Sequence, residues 1–339
     1  MSIKFKKRII WGFVLLVFIL FLVNINFNSE NKKTEPRLTV VTKTEERKEV
    51  YEPNIKLAFV GDMMLGRGVK NSVYKNFSGD YEQLFIKVKQ TLLDYDLLFV
   101  NLEGPISDKG DDVGGLYSFR FEPVTISVLK EVGFDIISLA NNHTFNWGEV
   151  ALLDTIKLLS NTGMSYIGAG FDGLDAYQDK ILNIKGTKIS FLAFSEFKAG
   201  GTMSSSTNPG LALISEENVI RGVSRAKNNS DLVIVSFHFG EEYTDLPNDY
   251  QKKYAKLAID SGADLIVGHH PHVIQTLEQY KNVYIIYSLG NFIFDQYFSE
   301  ETMQGGLLEV EVNPKNKKIQ NINLRKVFLN KYFQIESIE

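Results

Sequence analysis

The 339-residue chain is 44% hydrophobic and 23% charged, a composition typical of a folded protein with one large domain or about two average ones. It contains no cysteine, which excludes disulfides, thiolate nucleophiles and cysteine-ligated metal sites. The formal net charge of −4 offers no basic face, so nucleic acid is not expected as a partner. Any metal must be held by oxygen ligands and by the five histidines.

The N-terminus has the pattern of a membrane anchor. Residues 1–8 hold four basic residues and no acid, and residues 9–23 carry no polar side chain. Extended to residue 27, the run reaches the lower limit for crossing a bilayer, roughly 17 residues. The pattern predicts a single-pass transmembrane signal anchor over 9–27 and a cytoplasmic tail over 1–8. The rest of the chain is then expected on the extracellular side of the cell membrane. The alternative is a cleaved signal peptide, but no small-x-small cleavage site follows the run.

Residues 28–54 have the composition of an extracellular linker. They carry six basic and six acidic residues and no aromatic before Tyr51, so they cannot build a core. Because this segment is neutral and residues 1–8 carry +4, the remaining domain, 55–339, has a formal charge of −8.

From Ile55 onward, apolar runs alternate with helical patterns. Short buried strands are predicted at Lys56–Val60, Leu97–Leu102, Ile136–Ala140, Leu232–Phe237, Leu265–Val267 and Val283–Ser288. Amphipathic helices are predicted at Tyr81–Leu93, Val124–Val132, Val150–Ser160, Glu216–Lys227 and Tyr250–Ser261. Antiparallel pairs are predicted for Lys180–Ile184 with Lys188–Ser195 and for Leu307–Val312 with Ile319–Val327. The mixture predicts an α/β fold with a largely parallel centre and antiparallel additions.

Residues able to bind a metal follow five of these strands. They are Asp62, Glu103, the Asn141-Asn142-His143 run, His238 and the cluster His269, His270 and His272. Taken singly, each has a structural alternative, such as a turn cap, a solvated loop acid or a core histidine. However, every histidine of the chain falls at such a junction, and the carboxyl ends of parallel strands share one edge of a sheet. The pattern predicts a site for one or two divalent cations of the Mn, Fe or Zn type.

Five motifs carry a family resemblance. They are FVGDMML at 59–65, NLEGP at 101–105, LANNH at 139–143, GHHPHVIQ at 268–275 and YSLGNF at 287–292. In this order they resemble the capsule-synthesis CapA family, which is associated with poly-γ-glutamate production and is similar to the calcineurin-like metallophosphoesterases. The likeness covers about Ile55 to Asp295. It implies a metallophosphoesterase-like α/β-β/α sandwich with the metal site at one edge.

The resemblance also implies roles for individual residues. Asp62 matches the first metal-binding aspartate and Glu103 the bridging carboxylate. His143 stands at the position of the catalytic acid. The other implied metal ligands are Asn142, His238, His270 and His272.

The chain departs from the family pattern at two positions that matter for chemistry. Met64 stands where metallophosphoesterases carry a ligating histidine, and a thioether is a poor ligand for hard cations. Asn146 stands where relatives often have an aspartate, so His143 loses a partner that would raise its pKa.

Two functions remain open at this point. The first is a metal-dependent hydrolase acting outside the cell, with Arg67, Arg120 and Asn291 as candidate substrate-binding residues. Surface salt bridges or turns are the alternative roles of these three. The second function is a non-catalytic accessory that binds or guides an anionic envelope polymer such as poly-γ-glutamate. Membrane polymerase subunits are possible partners in either case.

Overall fold

The computed structural model describes residues 53–198 and 207–339, all within one unit of the chain. Its strands are β1 Ile55–Met63, β2 Leu97–Leu102, β3 Ile136–Ser138, β4 Ser165–Ile167, β5 Ala169–Gly170, β6 Lys180–Ile184, β7 Thr187–Ser195, β8 Gly210–Leu211, β9 Leu232–His238, β10 Leu265–His269, β11 Leu277–Tyr280, β12 Val283–Ile286, β13 Asn291–Ile293, β14 Gln304–Asn313, β15 Lys318–Leu329 and β16 Ile335–Ile338. Its helices are α1 Arg67–Phe77, α2 Lys89–Leu93, α3 Thr125–Val132, α4 Gly148–Asn161, α5 Gly173–Ala176, α6 Glu216–Asn229 and α7 Asp249–Asp260. Two 3₁₀ turns cover Tyr81–Leu84 and Glu301–Met303.

Two mixed sheets form the centre of the fold. The first has the order β16-β15-β14-β1-β2-β3-β4, with β13 also paired to β1, and the second has the order β11-β12-β10-β9-β7-β6. Strands β1 to β4 run parallel, as do β7, β9, β10 and β12. The outer pairs β14–β15 and β6–β7 are antiparallel. The predicted parallel centre with antiparallel additions is therefore confirmed.

The sheets pack face to face because their central strands are apolar on both sides. In β1, Leu57 and Phe59 point into the core between the sheets, whereas Ala58 and Val60 point to the opposite face. That opposite face packs against α1, α3 and α4, and the outer face of the second sheet packs against α6 and α7. Burial on both faces explains why these strands read as continuous apolar runs rather than alternating ones.

Glycines allow the strand ends of the site to approach their neighbours closely. A Cβ atom at Gly61 would lie 2.0 Å from the carbonyl oxygen of Gly290, and one at Gly268 would lie 1.9 Å from that of Tyr287. Neither position can accept a side chain without moving backbone. Since Asp62 follows the first glycine and His269 the second, this close packing fixes the position of two residues of the site.

The prediction of one continuous helix over Tyr81–Leu93 is wrong. The Tyr81–Leu93 segment is a 3₁₀ turn followed by the separate short helix α2. The carbonyl of Gln83 accepts a hydrogen bond from Gln334 Nε2 at 2.6 Å, so it is engaged by a side chain from the C-terminal region. The other predicted helices are confirmed with small shifts of their ends, whereas α1 had no sequence prediction.

The predicted anchor at 9–27 and nearly all of the 28–54 linker lie outside the described residues. Within residues 53–198 and 207–339, no helix has both the length and the apolar character needed to span a bilayer.

Candidate metal centre

Asp62 lies at the centre of the site, at the end of β1, and is fully buried. Its Oδ1 accepts a hydrogen bond from Asn101 Nδ2 at 2.8 Å, and its Oδ2 accepts one from the backbone N–H of His270 at 3.0 Å. His269 Nδ1 lies 3.2 Å from Oδ1. Burial alone would raise the pKa of Asp62, but His269 and the other nearby imidazoles outweigh it and hold that pKa below its usual value. Asp62 is therefore an ionised candidate ligand at neutral pH.

Glu103 follows β2 and is also fully buried. Within the described part of the chain, neither of its carboxylate oxygens has a hydrogen-bond partner. Its Oε1 lies 3.6 Å from His143 Nε2 and 3.8 Å from His272 Nε2. Burial, together with the charges of Asp62 and Glu242, raises the pKa of Glu103 well above its ordinary value. A buried carboxylate of this kind is costly unless something positive binds it.

His238 completes an inner group with these two acids. One ligand atom from each of Asp62, Glu103 and His238 lies within 4.8 Å of the other two. His238 Nε2 lies 2.8 Å from Asn142 Oδ1, and its Nδ1 lies 3.3 Å from Asn101 Nδ2. Burial and the neighbouring imidazoles lower the pKa of His238 well below its usual value, so the ring is neutral. The neutral imidazole is the form that binds metals.

His270 and His272 lie beside this group on the loop after β10. His272 Nδ1 donates to Asn291 Oδ1 at 2.9 Å, and the Asn291 amide is fixed because its Nδ2 donates to the Thr302 carbonyl at 2.9 Å. The remaining nitrogen, His272 Nε2, is thus the one that can offer a lone pair to a ligand. Burial and the nearby His272 lower the pKa of His270 to about 3.

His143 is held with its Nε2 towards Glu103. Its Nδ1 lies 2.8 Å from Asn146 Oδ1, which also accepts the backbone N–H of Phe119 at 2.8 Å. Since that oxygen accepts from a backbone donor, Nδ1 carries the proton and Nε2 the lone pair. The Phe119 ring stacks on the imidazole with centroids 3.8 Å apart. Burial lowers the pKa of His143 to about 4, against the opposing effect of Asn146.

A cavity of about 290 Å³ opens beside His143 and His272. Arg67 lines it, with Nε 3.2 Å from Asp295 Oδ2 and the guanidinium 5.1 Å from the centroid of the Phe119 ring. The rest of the lining is largely aromatic and acidic: Tyr117, Glu242, Tyr243, Gln296, Tyr297 and Phe298. This cavity offers one cation and several rings to a ligand next to the buried carboxylates.

The three predicted substrate-binding residues occupy different places. Arg67 lines the cavity. Arg120 stacks its guanidinium 3.4 Å from the centroid of the Trp147 ring. Asn291 is fully buried behind His272 and orients that ring, so its observed contact is with a candidate ligand.

Two amides support the predicted ligands. Asn101, from the NLEGP motif, bridges Asp62 and His238. Asn141, which the sequence placed among the residues able to bind a metal, instead donates to Asn101 Oδ1 at 3.2 Å and to the Leu102 carbonyl at 2.8 Å. The positions of both at strand ends are the signal in the sequence. Glu242 lies in the loop after β9, and the sequence around it gave no such signal.

The residues present have the composition of a divalent-metal site. The unpartnered carboxylate of Glu103 lies among imidazoles, with the Asp62 carboxylate nearby. His238 Nε2 and Asn142 Oδ1, which contact each other at 2.8 Å, are atoms of the two types that would hold such an ion. The site is therefore suited to a divalent cation.

Comparisons with known proteins identify the family of the chain. Residues 56–296 match the family described as "Bacterial capsule synthesis protein PGA_cap", which is more than two thirds of the chain. The chain belongs to this capsule-synthesis family. The resemblance to CapA proteins predicted from the sequence is confirmed.

Two relatives within the family are similar over most of the chain. The capsule biosynthesis protein CapA of Bacillus anthracis is 35% identical over 79% of this chain and 66% of its own length. The PGA biosynthesis protein CapA of Bacillus subtilis is 32% identical over 71% of this chain and 64% of its own length. The aligned part of this chain thus spans just under two thirds of both relatives.

A solved structure supports the predicted fold. A phosphatase from Mycoplasma pneumoniae superimposes with a TM-score of 0.50, covering 81% of this chain and 94% of that one at 18% identity. The likeness shows a shared mixed α/β fold.

Proposed function

We propose that the exported domain is a metal-dependent hydrolase that acts during the synthesis of a capsule or other envelope polymer, with poly-γ-glutamate as the best candidate. The observation that carries this proposal is Glu103, whose two oxygens are fully buried and unpartnered among the described residues. Keeping such a group has a cost of about 1–3 kcal/mol, which a purely structural residue would not impose. Cation binding offsets that cost.

The proposed ligand set is Asp62, Glu103, Asn142, His238, His270 and His272. It mixes carboxylate, amide and imidazole donors, which suits Mn, Fe or Zn, as one or two ions. Bound there, the metal supplies Lewis acidity and lowers the pKa of a coordinated water.

His143 is the proposed proton-transfer residue. With a pKa of about 4 it is neutral at pH 7, and Nε2 holds the lone pair on the side facing Glu103. It first accepts the proton of the attacking water and then returns that proton to the leaving group. Asn146 and the stacked Phe119 ring keep the imidazole in this orientation.

The cavity offers an anionic substrate group one cationic contact. Arg67 lines it next to His143; its Nε contacts Asp295, and the remaining N–H groups of the guanidinium can bind a substrate carboxylate. Because the exported domain carries a formal charge of −8, a polyanion is attracted only where such local positive charge exists. The proposed substrate contact is therefore confined to Arg67 and the metal, with no broad basic surface.

The N-terminal pattern supports an extracellular position for the proposed site. A basic tail followed by the apolar run at 9–27 supports a single-pass anchor in the cell membrane. An anchored domain remains near the polymer as it emerges, and membrane polymerase subunits are the proposed partners.

Met64 favours a second candidate function, a non-catalytic accessory that binds the polymer. Its sulfur accepts the backbone N–H of Gly66 at 3.1 Å, so the side chain is engaged in its own loop. One ligand of the metallophosphoesterase pattern is therefore absent at this position.

One comparison separates the two candidates. Purified full-length protein loaded with Mn²⁺ is assayed on phosphodiester and γ-glutamyl test substrates, beside Asp62→Ala and, as the matched control, Asp260→Ala, which changes an exposed aspartate at the end of α7. Turnover that is lost in Asp62→Ala and kept in Asp260→Ala supports the hydrolase. Absence of turnover on every substrate, with Asp62→Ala still supporting polymer production in cells, would establish the accessory function instead.

A further inference from the structure

A second group of ligand-type residues lies next to the inner group of Asp62, Glu103 and His238. It consists of Glu242, His270 and His272, and one ligand atom from each lies within 4.8 Å of the other two. The two histidines are buried, whereas Glu242 is exposed and lines the cavity. This group therefore faces the cavity, while the inner group is sealed.

His270 has the features of an unused ligand. It is only 5% exposed, and its Nδ1 lacks a hydrogen-bond partner among residues 53–198 and 207–339. The rings of Phe197 and His238 lie 4.2 Å and 4.9 Å away, centroid to centroid. A buried imidazole nitrogen without a partner is unfavourable unless a ligand binds it.

His272 offers a defined lone pair to the same place. Its Nδ1 donates to Asn291, so Nε2 is the free nitrogen, and it lies 3.8 Å from Glu103 Oε1. An imidazole whose other nitrogen donates to an oxygen is the usual arrangement of a metal-bound histidine.

Glu242 is brought to these histidines by a loop with a constrained backbone. The next residue, Tyr243, has a φ of 60° and donates its N–H to the Pro271 carbonyl at 2.8 Å. His270 and His272 also have positive φ values, 100° and 59°. The Tyr243–Pro271 bond ties the loop that carries Glu242 to the loop that carries both histidines.

We propose that Glu242 is a metal ligand and that, with His270 and His272, it binds a second divalent cation at the cavity side of the centre. This inference rests on the proposed inner centre and adds a ligand that the sequence motifs do not contain. Because Glu242 is exposed and its side chain must be ordered on binding, the outer cation exchanges more readily than the inner one. The outer cation faces the cavity, so it is the ion that meets an anionic substrate group.

The test counts Mn²⁺ ions on the full-length protein by equilibrium dialysis and by electron paramagnetic resonance. The expected result is two ions per wild-type chain, with the weaker one bound at least tenfold less tightly in Glu242→Gln. Glu241→Gln is the matched control, an exposed acid one residue away, and keeps both ions. A wild-type spectrum of two coupled Mn²⁺ ions that becomes a single-ion spectrum in Glu242→Gln supports the assignment.

The outcomes that overturn the inference are distinct from failure of the proposed function. Two ions with unchanged affinity in Glu242→Gln would overturn the role of Glu242. One ion in both wild type and Glu242→Gln, with equal affinity, would overturn the outer position but leave the inner centre in place. No bound ion in the wild type would overturn both.

Discussion

Replacing Glu103 by glutamine should stabilise the metal-free protein while abolishing its response to metal. In the metal-free chain, Glu103 is fully buried, without a hydrogen-bond partner in the described residues, and an oxygen of Asp62 lies within 4.8 Å. Two negative charges at that distance repel by about 3.5 kcal/mol at an effective dielectric constant of 20. The raised pKa of Glu103 relieves part of this by proton uptake. A neutral amide removes the remaining repulsion, so the free energy of unfolding of the metal-free protein should rise by about 1–3 kcal/mol.

The assay is thermal unfolding of the chelator-treated protein, with and without Mn²⁺. At about 2 °C per kcal/mol for a domain of this size, metal-free Glu103→Gln should melt about 2–6 °C above wild type. Saturating Mn²⁺ at 100 times the Kd should add about 2.7 kcal/mol to the wild type and almost nothing to the variant.

The difference in stability between wild type and Glu103→Gln should also depend on pH. A folded-state pKa above the unfolded value means that the native metal-free protein binds more protons, so its stability falls as pH rises. The advantage of Glu103→Gln should therefore vanish near pH 4.5 and grow as pH rises from there towards the raised pKa of Glu103.

Glu309→Gln is the matched control, because Glu309 accepts hydrogen bonds from Tyr95 and Asn323 and pairs with Arg325. Its replacement should lower the melting temperature. A metal-free Glu103→Gln variant that is less stable than wild type, or that still gains stability from Mn²⁺, would show that Glu103 is not a destabilising carboxylate held for a metal.

Three further predictions concern positioning and location. Asn146→Asp places a carboxylate 2.8 Å from His143 Nδ1, so the His143 pKa of about 4 in the metal-free protein should rise by about 1–3 units; an unchanged imidazole titration by NMR would contradict this. Asn291→Ala removes the acceptor of His272 Nδ1 and should weaken Mn²⁺ binding about 10–100-fold by equilibrium dialysis, whereas equal affinity would show that this contact does not support the metal. Full-length protein should fractionate with membranes in cells; recovery of a soluble extracellular species beginning near Asn28 would identify a cleaved signal peptide instead.

The sequence predicted which candidate ligands meet at one edge of the sheet better than it predicted their surroundings. Asp62, Glu103, Asn142 and His238 follow strands whose apolar runs are visible, and parallel order places their ends at one edge. Glu242 could not be predicted, because its approach depends on a hydrogen bond between Tyr243 and Pro271, which lie on two separate loops.

The same limit applies to elements of the fold. Nothing local to Tyr81–Leu93 shows that the Gln83 carbonyl is engaged by Gln334, 251 positions away, so an amphipathic pattern predicted one continuous helix where there are two short pieces. Asn291 likewise occupied a plausible binding motif, but its contacts with His272 and Thr302 arise only when β13 pairs beside β1.

Anomalous diffraction from crystals of the protein grown with Mn²⁺ would show directly whether a metal binds at this site. We expect a manganese peak within about 2.0–2.3 Å of oxygens of Asp62 and Glu103 and of His238 Nε2. A map without a peak at this position, at saturating Mn²⁺ and with Glu103 still buried, would contradict it.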